Sequence, residues 1–174
     1  CIVKNIISND ENSNIKNLIS ILENEELEDF EQAHKKYQTT TNVKSKEIGS
    51  PKYFKANSNI CVIAIHGFSS APKEMEKLAL FLNNKNLNIY TPRLDGHGTT
   101  PEDLKTKKWT DWYNSISRTI TIASLKYEKI FIIGFSTGGL LALLSTKKHY
   151  KEFSGLICIN AALNLNDIRI KTLL

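Results

Sequence analysis

The chain has 174 residues, 41% of them hydrophobic and 24% charged, which is typical of a globular domain that buries a core. Its net charge of +5 comes from 20 Lys and 3 Arg against 18 Asp and Glu, and the lysines are scattered along the chain. Scattered lysines indicate a solvated surface and argue against a nucleic-acid site, which clusters arginines with aromatic residues. No apolar run reaches the roughly 18 residues that a membrane-spanning helix needs.

The N-terminal region begins with Cys1 and contains a polar stretch at residues 8–14. This start resembles that of mature bacterial lipoproteins, in which a lipidated cysteine precedes a polar tether. We therefore expect lipidated Cys1 to anchor the protein to a bacterial cell envelope, and a cytoplasmic location without lipidation. Apolar residues at 15, 18, 19 and 22 predict an amphipathic helix, continued through an acidic stretch to Tyr37, that packs on the domain. Residues 1–38 are thus predicted as tether plus helix, and residues 39–174 as the main domain.

The next segment is predicted to be a hairpin, with strands at 39–48 and 52–55 and a turn at Gly49-Ser50-Pro51. From residue 60 onward, short β-branched runs alternate with helix-forming segments. The predicted order is strand 60–65, helix 72–83, strand 87–91, helix 110–125, strand 129–134, helix 138–149 and strand 154–160. This alternation predicts an α/β fold with three layers, α/β/α, around a mostly parallel sheet whose ligand site lies at the carboxyl ends of its strands.

The most informative motif is Gly-Phe-Ser-Thr-Gly at 134–138, where the predicted strand 129–134 meets the predicted helix 138–149. A serine held between strand and helix by two glycines is typical of the nucleophile elbow, whose strained turn projects the hydroxyl above the sheet. The glycines let the strand and the helix pass closely. The alternative interpretation is a serine that caps the helix, but capping does not explain the two glycines. Ser136 is therefore the candidate nucleophile.

Three further segments accompany the elbow: His66-Gly-Phe-Ser-Ser70, Pro92-Arg-Leu-Asp-Gly-His-Gly98 and Trp109-Thr-Asp-Trp112. In this order they resemble the α/β-hydrolase family, and in particular its carboxylesterase and monoacylglycerol-lipase-like members, over about residues 43–160. The resemblance implies that the backbone N–H groups of Phe68 and Thr137 form an oxyanion hole. Donors of this kind each stabilise the transition state by a few kcal/mol.

The four histidines are expected to differ in role. The resemblance implies that His66 holds the oxyanion loop and that His97 orders the loop 92–98, although His97 is also a candidate for the catalytic base. His34 and His149 lie in lysine-rich, helix-like segments and are predicted to be solvated.

The family's catalytic acid and histidine follow the serine in the order Ser, Asp or Glu, His. After Ser136 the sequence offers only His149, Glu152 and Asp167, and this histidine precedes both acids. We therefore expect the chain to be the N-terminal part of a hydrolase whose triad partners and C-terminal strands lie outside these residues. A serine without its base is a poor nucleophile, so we expect little turnover from this chain alone.

Cys61 and Cys158 fall in predicted strands that have one strand between them. Their Cα atoms are then about 9–10 Å apart, which is too far for a disulfide bond. Both are predicted to be small core residues.

The resemblance implies a carboxylic-ester hydrolase in which Ser136 forms an acyl-enzyme on a short or medium acyl ester or a monoacylglycerol. It implies no metal and no cofactor. Two alternatives stay open: a thioesterase, amidase or acyltransferase on the same fold, and a non-catalytic, hydrolase-like binding module. The combination of an elbow with an oxyanion loop argues against the binding module.

Overall fold

The computed structural model describes residues 9–161 and residue 163, and its core is one five-stranded sheet in the order β1-β3-β2-β4-β5. The strands are β1 Lys52–Phe54, β2 Ile60–Ile65, β3 Asn88–Thr91, β4 Lys129–Phe135 and β5 Gly155–Ile159. Strand β1 runs antiparallel to β3, and the other pairs are parallel. The predicted α/β fold with a mostly parallel sheet is confirmed.

Helices cover both faces of this sheet. They are α1 Asn9–Tyr37, α2 Lys46–Gly49, α3 Glu76–Asn83, α4 Pro101–Lys105, α5 Trp109–Lys126 and α6 Thr137–Lys148, with a 3₁₀ turn at Pro72–Met75 before α3. Alternate residues of β2 point to opposite faces, as the strand geometry requires. Cys61, Ile63 and Ile65 pack with α5 and α6, whereas Val62 and Ala64 pack with α3 and the 3₁₀ turn. The result is the predicted three-layer arrangement.

Helix α1 is one continuous helix of 29 residues that packs along α5. The prediction of a tether is therefore wrong for residues 9–14, which are helical. Ion pairs fasten the helix to α5, with Asp29 Oδ2 2.7 Å from Arg118 Nη1 and Glu23 Oε1 2.8 Å from Lys126 Nζ. Cys1 lies outside the described residues, so its lipidation and the envelope location stay predictions. No helix among the described residues is long and apolar enough to cross a membrane.

The predicted hairpin is wrong. Residues 46–49 form the short helix α2, and β1 pairs instead with β3, Lys52 opposite Thr91 and Phe54 opposite Ile89. The preceding segment is held by a distant loop, because the Lys44 N–H donates to the Thr99 carbonyl at 3.0 Å. Gly49 lies so close to the Gly98 carbonyl that a Cβ at position 49 would overlap it.

The two described cysteines lie on β2 and β5, with β4 between them as predicted, and both are free. Cys61 is buried, and burial raises the pKa of its thiol to about 12. Cys158 is exposed on β5, so the prediction of a core position is wrong for this residue. The reason is that β5 has a neighbour on one side only in the described sheet.

Candidate active site

Ser136 stands at the sharp turn between β4 and α6, with φ 52° and ψ −119°. A positive φ is strained for any residue with a Cβ and costs about 1–3 kcal/mol, so it persists only where the surroundings enforce it. Here the enforcement comes from close backbone packing. A Cβ on Gly134 would overlap the Gly138 carbonyl, and one on Gly138 would lie within 2.5 Å of the Ile65 and His66 carbonyl oxygens. The strand and helix pass as closely as the two glycines predict.

The side chain of Ser136 does not cap α6. Its hydroxyl makes no capping hydrogen bond, and it has no hydrogen-bond partner among the described residues. The backbone of the same residue is engaged, since its N–H donates to the Ile159 carbonyl at 2.9 Å and its carbonyl accepts from Gly139 N–H at 2.9 Å. The turn is therefore fixed, while the hydroxyl of this half-buried residue is left without a partner among the described residues.

The loop after β2 lies beside this turn. Strands β2 and β4 pair in parallel with Ile65 opposite Gly134, so the next residues of both strands leave the sheet together. A Cβ built on Gly67 would be 3.4 Å from Ser136 Cβ. Sequence reasoning placed Ser136, Phe68 and Thr137 in one site, and the fold brings their segments to the same edge of the sheet.

The two candidate oxyanion donors have no hydrogen-bond acceptor among the described residues. The backbone N–H groups of Phe68 and Thr137 donate no hydrogen bond to any group in the part of the chain that the structure describes. Thr137 is the first residue of α6, where the helix dipole adds positive potential. The tetrahedral intermediate of acyl transfer requires a nucleophilic oxygen beside such donors, and the assignment of these two N–H groups to an oxyanion hole stays a prediction.

His66 is a buried, neutral residue that joins two loops. Its Nδ1–H donates to the Gly67 carbonyl at 2.9 Å, and its Nε2 accepts from the Leu94 N–H at 3.3 Å. Burial lowers the pKa of His66 to about 3, so the ring stays neutral. Both nitrogens are thus occupied, in agreement with a role in holding the loop.

His97 is also buried, and burial lowers its pKa to about 4. Its ring meets those of His66 and Trp112 edge-on, with centroids 5.1 and 5.2 Å away. The Phe68 ring lies against the same His97 and Trp112 rings. No hydrogen bond joins His97 to Ser136 in the described residues, so the geometry favours the loop-ordering interpretation over that of a base.

Sequence reasoning missed the ion pair that supports this loop. Arg93 Nη2 lies 3.2 Å from Asp103 Oδ2, both side chains are buried, and Arg93 Nε donates to the His97 carbonyl at 2.7 Å. The Thr99 hydroxyl donates to the same Asp103 oxygen at 2.6 Å. The available signal was the capping pattern at the start of α4, where the Thr100 side chain accepts from the Asp103 N–H at 3.2 Å.

Metal ligation has no candidate in the described residues, which contain no group of three or more His, Cys, Asp or Glu side chains able to hold an ion.

Comparison with known proteins gives consistent matches. A family model described as "Serine aminopeptidase, S33" matches residues 56–174. A thermostable monoacylglycerol lipase of Bacillus sp. (strain H-257) is 31% identical over 120 residues, 69% of this chain and 48% of the lipase. A carboxylesterase of Bacillus subtilis (strain 168) is 30% identical over 83 residues, 47% of this chain and 34% of the esterase.

One solved structure, from work on two metagenome-derived lipolytic enzymes, superposes with a TM-score of 0.67 and 32% identity. The match covers 71% of this chain and 50% of that protein. The chain spans about half the length of the monoacylglycerol lipase and about a third of the carboxylesterase.

Proposed function

Because the chain belongs to the serine aminopeptidase S33 family of α/β-hydrolases, we propose that the protein is a serine hydrolase of carboxylic esters. The observation that carries the proposal is the position of Ser136, whose strained turn leaves a free hydroxyl next to the loop of Phe68. The curated relatives named as a lipase and a carboxylesterase support ester cleavage as the reaction.

In the proposed mechanism, Ser136 Oγ attacks the acyl carbon of the ester and its proton passes to a general base. The carbonyl π electrons move to oxygen, and the N–H groups of Phe68 and Thr137 bind the resulting oxyanion. The intermediate collapses, the C–O bond to the alcohol breaks, and the base returns its proton to the leaving alkoxide. Water then repeats the sequence on the acyl-enzyme and releases the carboxylic acid.

The general base is a histidine other than the four in this sequence. His66 is buried and neutral with both ring nitrogens hydrogen-bonded, and His97 is buried and neutral with no hydrogen bond to Ser136 among the described residues. His34 Nε2 lies 3.0 Å from the Lys44 carbonyl, and His149 Nε2 lies 3.2 Å from the Tyr113 hydroxyl. Experiments on the reaction therefore need the full natural polypeptide, in which we propose that this further histidine lies.

The substrate is proposed to have an apolar acyl group, either a short or medium acyl ester or a monoacylglycerol. Phe68 supports this class, because its ring is 48% exposed beside the elbow and rests on buried Trp112 and His97. An exposed aromatic ring that packs on buried side chains gives an acyl chain an apolar surface to bind.

The test compares p-nitrophenyl esters, acyl-thioesters, acyl-anilides and monoacylglycerols as substrates of the natural polypeptide and of its Ser136→Ala variant. We expect the esters to be cleaved fastest, Ser136→Ala to lose at least about 10³-fold in kcat, and a fluorophosphonate to label the native protein on Ser136 only. Faster cleavage of anilides would instead assign an amidase, which the family description favours. No labelling and no turnover would refute the enzyme and support a binding module.

A further inference from the structure

Gly67 joins two peptide groups that are both held in place. The peptide group between His66 and Gly67 carries the Gly67 N–H, which donates to Glu74 Oε2 at 3.2 Å. The second peptide group, between Gly67 and Phe68, carries the Gly67 carbonyl, which accepts from His66 Nδ1 at 2.9 Å and from the Ser70 N–H at 3.3 Å. This second group carries the Phe68 N–H at its other end.

The hydrogen bonds to the Gly67 carbonyl therefore set the direction of the Phe68 N–H. In a trans peptide the N–H points opposite to the carbonyl, so holding the Gly67 oxygen directs the Phe68 N–H away from His66 and Ser70. A glycine rotates about φ and ψ more freely than any other residue, and rotation at Gly67 would swing this donor. Position 67 has little room for a side chain, because a Cβ there would lie 3.3 Å from Phe135 Cδ1 and 3.4 Å from Ser136 Cβ. Hydrogen bonds have to supply the rigidity that a side chain would have given.

We propose that Glu74 is a positioning residue of the oxyanion loop, a role that rests on the function proposed above. Its carboxylate fixes the peptide group before Gly67, while His66 and Ser70 fix the one after it. Together these bonds restrain both rotations at the glycine.

The surroundings of Glu74 leave its carboxylate to this bond. Glu74 lies in the 3₁₀ turn and is exposed, and among the described residues it forms no ion pair. The neighbouring Lys73 pairs instead with Glu47 and Glu76, each at 2.5 Å. Because Glu74 is exposed, its replacement leaves the core intact.

The experiment uses Glu74→Ala, which removes the acceptor, and Glu74→Gln, which keeps an acceptor but loses the charge. Glu76→Ala is the matched control, since it removes the same charge nearby and breaks pairs with Lys52 and Lys73 without touching Gly67. In the natural polypeptide we expect Glu74→Ala to lower kcat on a p-nitrophenyl ester about tenfold, with KM changed less than about twofold. Glu74→Gln and Glu76→Ala are expected to stay within about twofold of the native kcat.

Hydrogen exchange at the Gly67 amide tests the restraint without relying on turnover. We expect Glu74→Ala to speed this exchange at least about tenfold, and Glu76→Ala to leave it unchanged. Unchanged exchange in Glu74→Ala overturns the proposal, whatever the activity. An equal fall in kcat for the Ala and Gln variants also overturns it, because the charge and not the bond would then be responsible. A Ser136→Ala variant that still hydrolyses esters refutes the proposed function alone, and the exchange comparison still decides the role of Glu74.

Discussion

Replacing Gly138 by alanine tests whether close backbone packing builds the elbow. The new Cβ would lie within 2.5 Å of the carbonyl oxygens of Ile65 and His66, although real Cβ atoms essentially never come within 3.0 Å of a heavy atom. Neither oxygen can turn away, because both belong to the backbone at the end of β2. Helix α6 must therefore shift by about 1 Å to restore an ordinary contact distance.

Two opposing effects set the size of the change in stability. Alanine is favoured over glycine inside a helix by about 0.8–1 kcal/mol. Overpacking against a rigid neighbour costs about 1–3 kcal/mol, and contact with two backbone atoms places Gly138→Ala at the upper end. We expect a net destabilisation of about 2 kcal/mol, measured by urea unfolding. A shift of about 1 Å at the nucleophile also lowers kcat on a p-nitrophenyl ester by about 10²-fold.

Gly155→Ala is the matched control. Its Cβ would lie 2.8 Å from Cδ1 of the Phe131 ring, a side chain that can give way. We expect it to cost less than about 1 kcal/mol and to leave kcat unchanged. The reasoning is refuted if Gly138→Ala is as stable as the native protein, since helix propensity would then outweigh the backbone contact. A native kcat in Gly138→Ala would refute the predicted shift of the elbow.

Three further predictions follow from strain, buried charge and titration. Ser136→Gly, which relieves the positive φ, should be about 1 kcal/mol more stable than Ser136→Ala in urea unfolding, and equal stability would show that the turn is unstrained. Asp103→Ala removes the nearer of the two carboxylates that pair with the buried Arg93 guanidinium and leaves Asp95 at 3.6 Å, so we expect it to lose about 3 kcal/mol in the same assay; a loss below about 1 kcal/mol would contradict the pair's importance. Burial lowers the pKa of His97 from 6.5 to about 4. Between these values His97 binds a proton in the unfolded chain and not in the folded one, so this residue makes stability fall as the pH is lowered, by up to about 1.4 kcal/mol per pH unit. Burial lowers the pKa of His66 to about 3, which adds to this fall, and raises the pKa of Glu26 to about 7, which opposes it. His97→Gln should flatten this fall in urea titrations from pH 7 to 4, and an unchanged slope would show that His97 does not titrate there.

The strands and helices from residue 60 onward were predictable, because their signals are local. The β-branched run of β2 and the Leu-rich start of α6 need only their own residues to indicate a buried strand and a helix. Helix α4 was missed, because five residues are too few to show a period. The predicted hairpin was wrong because β1 can pair with any strand that has a free side. It pairs with the free side of β3, which lies 35 or more residues further along the chain.

The solvent exposure of individual residues could not be predicted from the sequence either. The apolar run of β5 indicates burial, yet Ile157 and Cys158 are exposed, since a strand's burial depends on what lies on both its sides. Arg93 and Asp103 are separated by ten residues. The capping pattern from Thr100 to Asp103 indicates a helix start, but it does not show that the Asp103 and Arg93 side chains turn into the same interior.

The sequence by itself determined that Ser136 stands in a tight strand-to-helix turn, because the spacing of Gly134 and Gly138 is a local steric requirement. Only the tertiary structure decided what faces that serine. The register of β2 against β4 placed the Phe68 loop beside the elbow, and Glu74 and His66 fixed the peptide groups of Gly67. These contacts join residues far apart in the chain, and their geometry exists only after the sheet has packed.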